Sequence, residues 1–189
     1  MIEEQLEATN SRVATAINEG ELIVYPTEAV MGIGCDPDNA DAIEKLLNLK
    51  QRPQNKGLIL VASSYSQLLP YVNDDAIRQD RRAEIFSSWP GPITWLLPKG
   101  EHASEWVTGE HHTIAVRVTA HPTVRDICNV IDKPLVSTSA NPTGLVPALT
   151  AAQAAQYFGQ KVKYIAGEIG QESKPSTIKD GETLATIRG

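Results

Sequence analysis

The stretch Leu22-Ile23-Val24-Tyr25-Pro26-Thr27-Glu28-Ala29-Val30-Met31-Gly32-Ile33-Gly34 decides how this chain is read. Its apolar start, residues 22–25, makes a short strand that stops at Pro26, and a hydroxyl, a carboxylate and two glycines follow. Upstream, Leu6, Val13 and Ile17 recur at helical spacing and Gly20 ends the run, so residues 3–19 predict a helix. Downstream, Asp36-Pro37-Asp38 predicts a helix start, with Ile43, Leu46 and Leu47 on the buried face and Arg52-Pro53 as the stop. Residues 58–62 are the longest unbroken apolar run and predict a central strand.

The same alternation continues outward. Ser63 and Ser64 are caps for a short helix, and residues 74–88 predict a charged helix with Ile77, Ile85 and Phe86 facing in. Trp89-Pro90-Gly91-Pro92 predicts a rigid turn. Residues 93–97, 113–118 and 135–138 predict strands, 122–131 and 150–158 helices, and 162–166 and 176–188 late strands. The polar segment 99–112 holds three of the four histidines and predicts a mobile loop. Interleaved helices and strands mean an α/β or α+β sheet protein. With no internal repeat and no dividing linker, one domain over residues 1–189 is expected.

Composition narrows the function classes. The chain has 189 residues, 41% hydrophobic and 21% charged, enough to bury a core without disulfide or metal staples. A net charge of −6 disfavours general nucleic-acid coating. No apolar run approaches the roughly 20 residues of a membrane span. The start, Met1-Ile2-Glu3-Glu4, is acidic where a secretory signal is basic. Cys35 and Cys128 cannot build a disulfide framework, so a cytoplasmic location is expected. Residues 49–61, 111–125 and 133–167 contain cations and no acid, which reserves a face or cavity for an anion or is a chance of surface patterning.

Three segments can carry chemistry. The segment 25–34 lies at a strand end, where α/β sheets hold ligands, and Gly32 and Gly34 either admit a ligand or shape a tight turn. Its spacing fits neither the dinucleotide fingerprint nor the P-loop. Lys50, Arg52 and Lys56 are an anion clamp or a solvated cationic turn. Ser137-Thr138-Ser139-Ala140-Asn141 offers neutral donors and acceptors to a ligand, or caps a turn. No histidine adjoins it, which argues against a nucleophilic serine. His102, His111, His112 and His121 show no metal-ligand spacing, so no direct protein metal site is expected. Trp89, Trp95 and Trp106 are expected to pack rather than to stack bases.

Taken together and in order, Tyr25-Pro26-Thr27-Glu28, Lys50-x-Arg52-Pro53, Trp89-Pro90-Gly91-Pro92-x-Thr94, Ala115-Val116-Arg117 and Ser137-Thr138-Ser139-Ala140-Asn141 resemble the YrdC-like family. The resemblance is strong over residues 20–145 and fits the short, single-domain bacterial form. Longer relatives carry an extra C-terminal domain, for which this chain has no room. The implied fold is α/β: a twisted, open mixed sheet with flanking helices around a positively lined cavity. The implied activity joins L-threonine, bicarbonate or CO2, and ATP into L-threonylcarbamoyl-adenylate and releases pyrophosphate, with Mg²⁺ on the phosphates. Partner tRNA-threonylcarbamoyl transferase proteins then act on adenosine 37 of tRNAs that read codons beginning with A.

The resemblance also implies residue roles. Thr27, Arg117, Ser137 and Ser176 fall to threonine, with Arg117 on its carboxylate. Lys50 and Arg52 face the ATP phosphates and the carbamate, and Ser139 and Asn141 complete that catalytic set. Lys56, Thr113 and Arg188 fall to the nucleotide. Strand alternation puts Ala115 and Arg117 on one face, and an acid-free neighbourhood leaves the ligand as Arg117's partner. Glu28 is a metal or water partner, or a local backbone cap. Two departures stand out: Val61 replaces a histidine of longer relatives, and Pro147, which has no N–H, replaces a serine. The rival class is an RNA-binding or ribosome-associated module that uses the basic cavity for phosphates, and weak tRNA contact is compatible with either.

Overall fold

The computed structural model describes residues 2–189, with side chains from residue 9 onward. Helix α1 (Ile2–Asn18) forms as its periodicity predicts and buries Val13 and Ile17; the side chain of Leu6 lies outside the described residues. Gly20 takes a positive φ of 73° to turn the chain into β1 (Ile23–Pro26).

The segment after Pro26 differs from the expected glycine turn. Residues Met31–Cys35 form a fully buried strand, β2, paired antiparallel with β1 on one side. On its other side it pairs antiparallel with β6 (Leu135–Ser139). Glycine weakens strand propensity and leaves one face without side chains, so alternation there has no readable second half. A Cβ at Gly34 would overlap the Val136 carbonyl oxygen, and one at Gly32 would sit 2.9 Å from the Tyr25 ring.

Helix α2 (Ala40–Lys50) starts at Asn39, whose side chain accepts from the Ala42 N–H, rather than at the Asp-Pro-Asp run. Asp36 and Asp38 instead accept from Lys133 Nζ. Strand β3 (Ile59–Ala62) follows as predicted. Tyr65–Tyr71 is a 3-10 helix, and Ser63 holds Gln67 and Asn129 instead of capping it. The helix expected over 74–88 is split. Asp74–Ala76 is a 3-10 turn in which Asp74 holds Tyr65 and Arg82, Ile77 leaves helical geometry at ψ 121° to bury its side chain, and only α3 (Arg82–Ser87) is α-helical.

Beyond β4 (Ile93–Pro98), the polar segment expected to be mobile contains α4 (Glu105–Thr108). It is pinned where the Leu58 N–H donates to the Val107 carbonyl at 2.7 Å. Strand β5 (Thr113–Val118), α5 (Pro122–Ile131) and α6 (Ala151–Phe158) match expectation, with Thr150 capping the last. Strands β7 (Lys163–Tyr164), β8 (Thr177–Asp180) and β9 (Thr186–Arg188) complete the chain.

Among the described residues these strands make one mixed sheet in the order β7-β1-β2-β6-β3-β5-β4-β8-β9. It is open, with β7 and β9 as edges. One face buries Val24, Ile33, Leu60, Val116 and Val136 against α2, α4 and α6. The opposite face is covered only in part. There α1 and α5 pack Val13, Ile17, Val124 and Ile127 onto Ile23, Tyr25, Val61 and Leu135. The uncovered remainder of that face is where the site forms.

Candidate active site

Register assigns the floor of the cavity. Gly34 lies opposite Ser137 and Gly32 opposite Ser139, Ile59 pairs with both Ser137 and Ala115, and Val61 pairs with Arg117. Side chains at every second position share a face, so Ser137, Ser139, Ile59, Ala115 and Arg117 project together beyond the cover of α1 and α5. The expectation that Ala115 and Arg117 share a face holds.

Two adjoining compartments occupy this region. The first, about 190 Å³, is lined by Thr27, Glu28, Arg117, Ser137, Ser139 and Ser176. The second, about 240 Å³, is lined by Lys56, Thr113 and Ala115 with apolar Leu96, Ile178 and Ile187. Arg52, Arg188, Leu58 and Ile59 line both and form the boundary between them. Pro147 and Lys174 complete the first compartment, and Val61 is fully buried in the core behind it. The lining is positive: Arg52, Arg117, Lys174 and Arg188 face one carboxylate, Glu28.

The threonine-side residues are held by local bonds. Thr27 Oγ1 donates to the Val30 carbonyl at 2.7 Å and closes the turn after β1. Ser176 and Thr94 share a hydroxyl–hydroxyl bond of 2.8 Å, and Arg188 donates to the Ser176 carbonyl at 3.0 Å. Backbone N–H groups of Gly170 and Glu172 donate to the carbonyls of Thr27 and Glu28, which docks the C-terminal segment onto that turn. Tyr25 Oη donates to Ser137 Oγ at 2.8 Å.

Arg117 departs from expectation in its partner. It is buried and ion-paired with Glu28, which also accepts from Thr119 Oγ1 at 2.5 Å. The neighbourhood is acid-free in sequence but not in space, because Glu28 is brought from β1's end across to β5. Burial works to raise the Glu28 carboxyl, yet the Arg117 charge and the bonds from Arg117 and Thr119 hold it below the usual carboxylate range. Glu28 is therefore held by Arg117 and Thr119, and a local backbone bond of the kind expected of a cap adds to their hold. Arg117 Nε stays buried with no acceptor, and Arg52 Nε does too. Two guanidinium groups lining one cavity thus each keep an unfilled donor.

Lys50 and Asn141 take a different place from the one expected. Neither is among the residues lining the compartments. Lys50 is buried at 2% exposure, and its Nζ donates to the carbonyls of Ser139 and Asn141, the latter at 2.6 Å. Its own carbonyl accepts from the Thr143 N–H at 2.7 Å. Burial, helped by the nearby Arg52 charge, lowers the Lys50 amine to about 8. Asn141 Nδ2 donates to the carbonyls of Pro142 and Leu145, so it shapes the same loop from within. The cationic turn is thus neither wholly a clamp nor a solvated surface. Lys50 holds the serine loop from behind, Arg52 faces the cavity, and exposed Lys56 edges the second compartment. Arg52 donates to the Gly57 carbonyl at 2.9 Å, and burial followed by the Arg188 charge lowers its guanidinium below the ordinary value.

Sequence reasoning missed the Glu28–Arg117–Thr119 constellation, Tyr25 and Lys174. The first joins residues 89 and 91 positions apart, a separation that carries no local signal. Among the described residues no group of three His, Cys, Asp or Glu side chains could hold a metal ion.

Known proteins resemble this chain over most of its length. The family model Sua5_yciO_yrdC, described as telomere recombination, matches residues 15–188. A Pseudoalteromonas atlantica protein named threonylcarbamoyl-AMP synthase is 59% identical over 169 residues, covering 89% of this chain and 90% of its own. A Vibrio parahaemolyticus protein of the same name is 50% identical over 178 residues, covering 94% and 96%. The crystal structure of P. abyssi Sua5 complexed with L-threonine is 30% identical with a TM-score of 0.82, over 90% of this chain. The match spans 51%, about half, of that longer protein. E. coli YciO, at 23% identity and a TM-score of 0.82 over 97% of this chain and 89% of its own, has the same fold. A motif order legible along the chain, a half-covered mixed sheet and close relatives over nearly its whole length converge: this chain belongs to the Sua5/YciO/YrdC family.

Proposed function

We propose that the two compartments are the amino-acid and nucleotide halves of one active site. The protein is a nucleotidyltransferase that makes L-threonylcarbamoyl-AMP from L-threonine, bicarbonate or CO2, and ATP, releasing pyrophosphate. The observation that carries the assignment of the halves is that Arg117 lines only the first compartment, whereas Arg52 and Arg188 line both. Arg117 meets the threonine carboxylate in the first compartment, beside Thr27, Ser137 and Ser176. Arg52 and Arg188, at the boundary, meet the phosphates, and the apolar wall of Leu96, Ile178 and Ile187 receives the base beside Thr113 and Lys56.

The physical problem is to gather a carboxylate, a carbamate and a triphosphate, which repel one another. Arg52, Lys174 and Arg188 offset that charge in a site partly withdrawn from water, where fixed charges act strongly. The threonine amine adds to CO2 and gives up a proton to solvent, or condenses with bicarbonate and loses water; a carbamate oxygen then attacks the α-phosphorus at the boundary, and pyrophosphate leaves toward solvent. Glu28, held ionised below the usual range and engaged by Arg117, is a poor proton acceptor near neutral pH. Catalysis is therefore mainly positioning and electrostatics. Magnesium enters with ATP as part of the substrate. The product passes to tRNA-threonylcarbamoyl transferase proteins for the adenosine modification, in the cytoplasm where tRNA is processed. Among the described residues no helix is long and apolar enough to cross a membrane.

The test is incubation of the purified protein with ATP, bicarbonate and labelled threonine. Formation of threonylcarbamoyl-AMP with stoichiometric pyrophosphate is expected. Pyrophosphate release that does not change when threonine or bicarbonate is omitted overturns the reading.

A further inference from the structure

We infer that Tyr25, a fully buried side chain with no access to substrate, is a positioning residue that aims the Ser137 hydroxyl into the amino-acid compartment as a hydrogen-bond donor. The inference rests on the assignment of that compartment to threonine.

Tyr25 stands on β1, Ser137 on β6, and β2 lies between them. A tyrosine on β1 reaches β6 only if nothing on β2 stands in the way. Both β2 residues beneath it are glycines. A Cβ at Gly32 would come within 2.9 Å of the Tyr25 ring, and one at Gly34 within 2.9 Å of its hydroxyl. The two glycines thus make a trough in which the ring lies across the strand. At its far end Oη is 2.8 Å from Ser137 Oγ and 3.5 Å from the Val136 carbonyl, so the serine is its effective partner.

The direction of that bond follows from chemistry. A phenol is the stronger donor and an aliphatic alcohol the better acceptor, so the proton lies on Tyr25. Burial pushes the Tyr25 phenol well above its ordinary value, which keeps it protonated throughout the working pH range. A serine has one proton. With one lone pair occupied by Tyr25, the Ser137 O–H turns away from the core and toward the cavity it lines. An acceptor oxygen of the bound amino acid then meets a donor already oriented, and less rotamer freedom is lost on binding.

The experiment is a double-mutant cycle on the full chain, with Tyr25→Phe, Ser137→Ala and the double variant. Wild-type adenylate formation that depends on threonine tests the underlying reading first; without it the compartment assignment fails, not the positioning role. Given that activity, Tyr25→Phe should raise the KM for threonine by about five- to tenfold and leave the KM for ATP within about twofold. Ser137→Ala should do at least as much, and adding Tyr25→Phe to it should change nothing further. Independent, multiplying effects in the double variant overturn the inference, as does an equal rise for ATP or no rise for threonine. Should Tyr25→Phe fail to fold, the slowly exchanging Tyr25 hydroxyl proton serves instead, followed by NMR in tyrosine-labelled protein. It should shift on saturation with threonine and be lost in Ser137→Ala. A resonance unmoved by threonine overturns the inference.

Discussion

Lys50 and Arg52 are two residues apart and carry the same charge, yet the fold gives them opposite duties. Lys50 satisfies two loop carbonyls from behind the serine segment, while Arg52 makes one bond to Gly57 and faces the cavity beside Arg188. Removing Lys50 strands buried acceptors, each costing about 1–3 kcal/mol. Lys50→Ala should therefore lower stability by about 2–4 kcal/mol in denaturant titration and lose adenylate formation as the loop relaxes. Arg52→Ala should change stability by less than about 1 kcal/mol, since a lost hydrogen bond is offset by relief from Arg188, and still lose most activity. Equal destabilisation in both variants would contradict the division of duties. Lys50 also makes stability depend on pH. Its amine falls from an ordinary 10.5 to about 8 on folding, so between those values the unfolded chain binds the extra proton. The stability margin of the wild type over Lys50→Met should widen as pH rises through that window and be flat below it, as midpoints measured at a series of pH values will show.

At the scale of elements, β2 and α2 show how much a short segment can hide or declare. Helix α2 was legible to within a few residues from Ile43, Leu46 and Leu47, because helix burial repeats along one stripe. The side chain of its cap, Asn39, accepts from the Ala42 N–H and lines neither compartment. Asn39→Ala should cost about 1 kcal/mol by thermal or denaturant melting and leave turnover unchanged. Strand β2 was not legible, because its glycines silence one face, and those glycines admit the Tyr25 ring and the β6 backbone. Gly34→Ala drives a methyl into the Val136 carbonyl and separates β2 from β6, the strand that carries Ser137 and Ser139. That variant should lose both cooperative melting and activity, whereas an equivalent Gly144→Ala meets no neighbouring atom and should retain its fold, with only the strain of a positive φ. A well-folded, active Gly34→Ala would show that the sheet tolerates the overlap.

Across the whole molecule, ligand binding and stability are one linked quantity. A ligand at a hundred times its Kd adds about 2.7 kcal/mol to a protein whose unfolded form does not bind it. Threonine and ATP should each raise the melting temperature of the wild type. Arg117→Ala should abolish most of the threonine increment, with affinity weakened by roughly 30-fold or more, and keep most of the ATP increment. Calorimetric titration of each ligand checks the same point directly, and equal loss for both would misplace the amino-acid compartment. The sequence by itself determined the class of fold, most strand and helix positions and the ordered motifs, because periodicity and turn chemistry are local. Only the tertiary structure decided that Glu28 neutralises Arg117, that Lys50 works from behind the loop, and that Tyr25 reaches Ser137 across two glycines. Those contacts depend on which strands become neighbours in a mixed sheet, and on α1 and α5 covering only part of one face. Residues scores of positions apart meet there through pairing register, which no local pattern records.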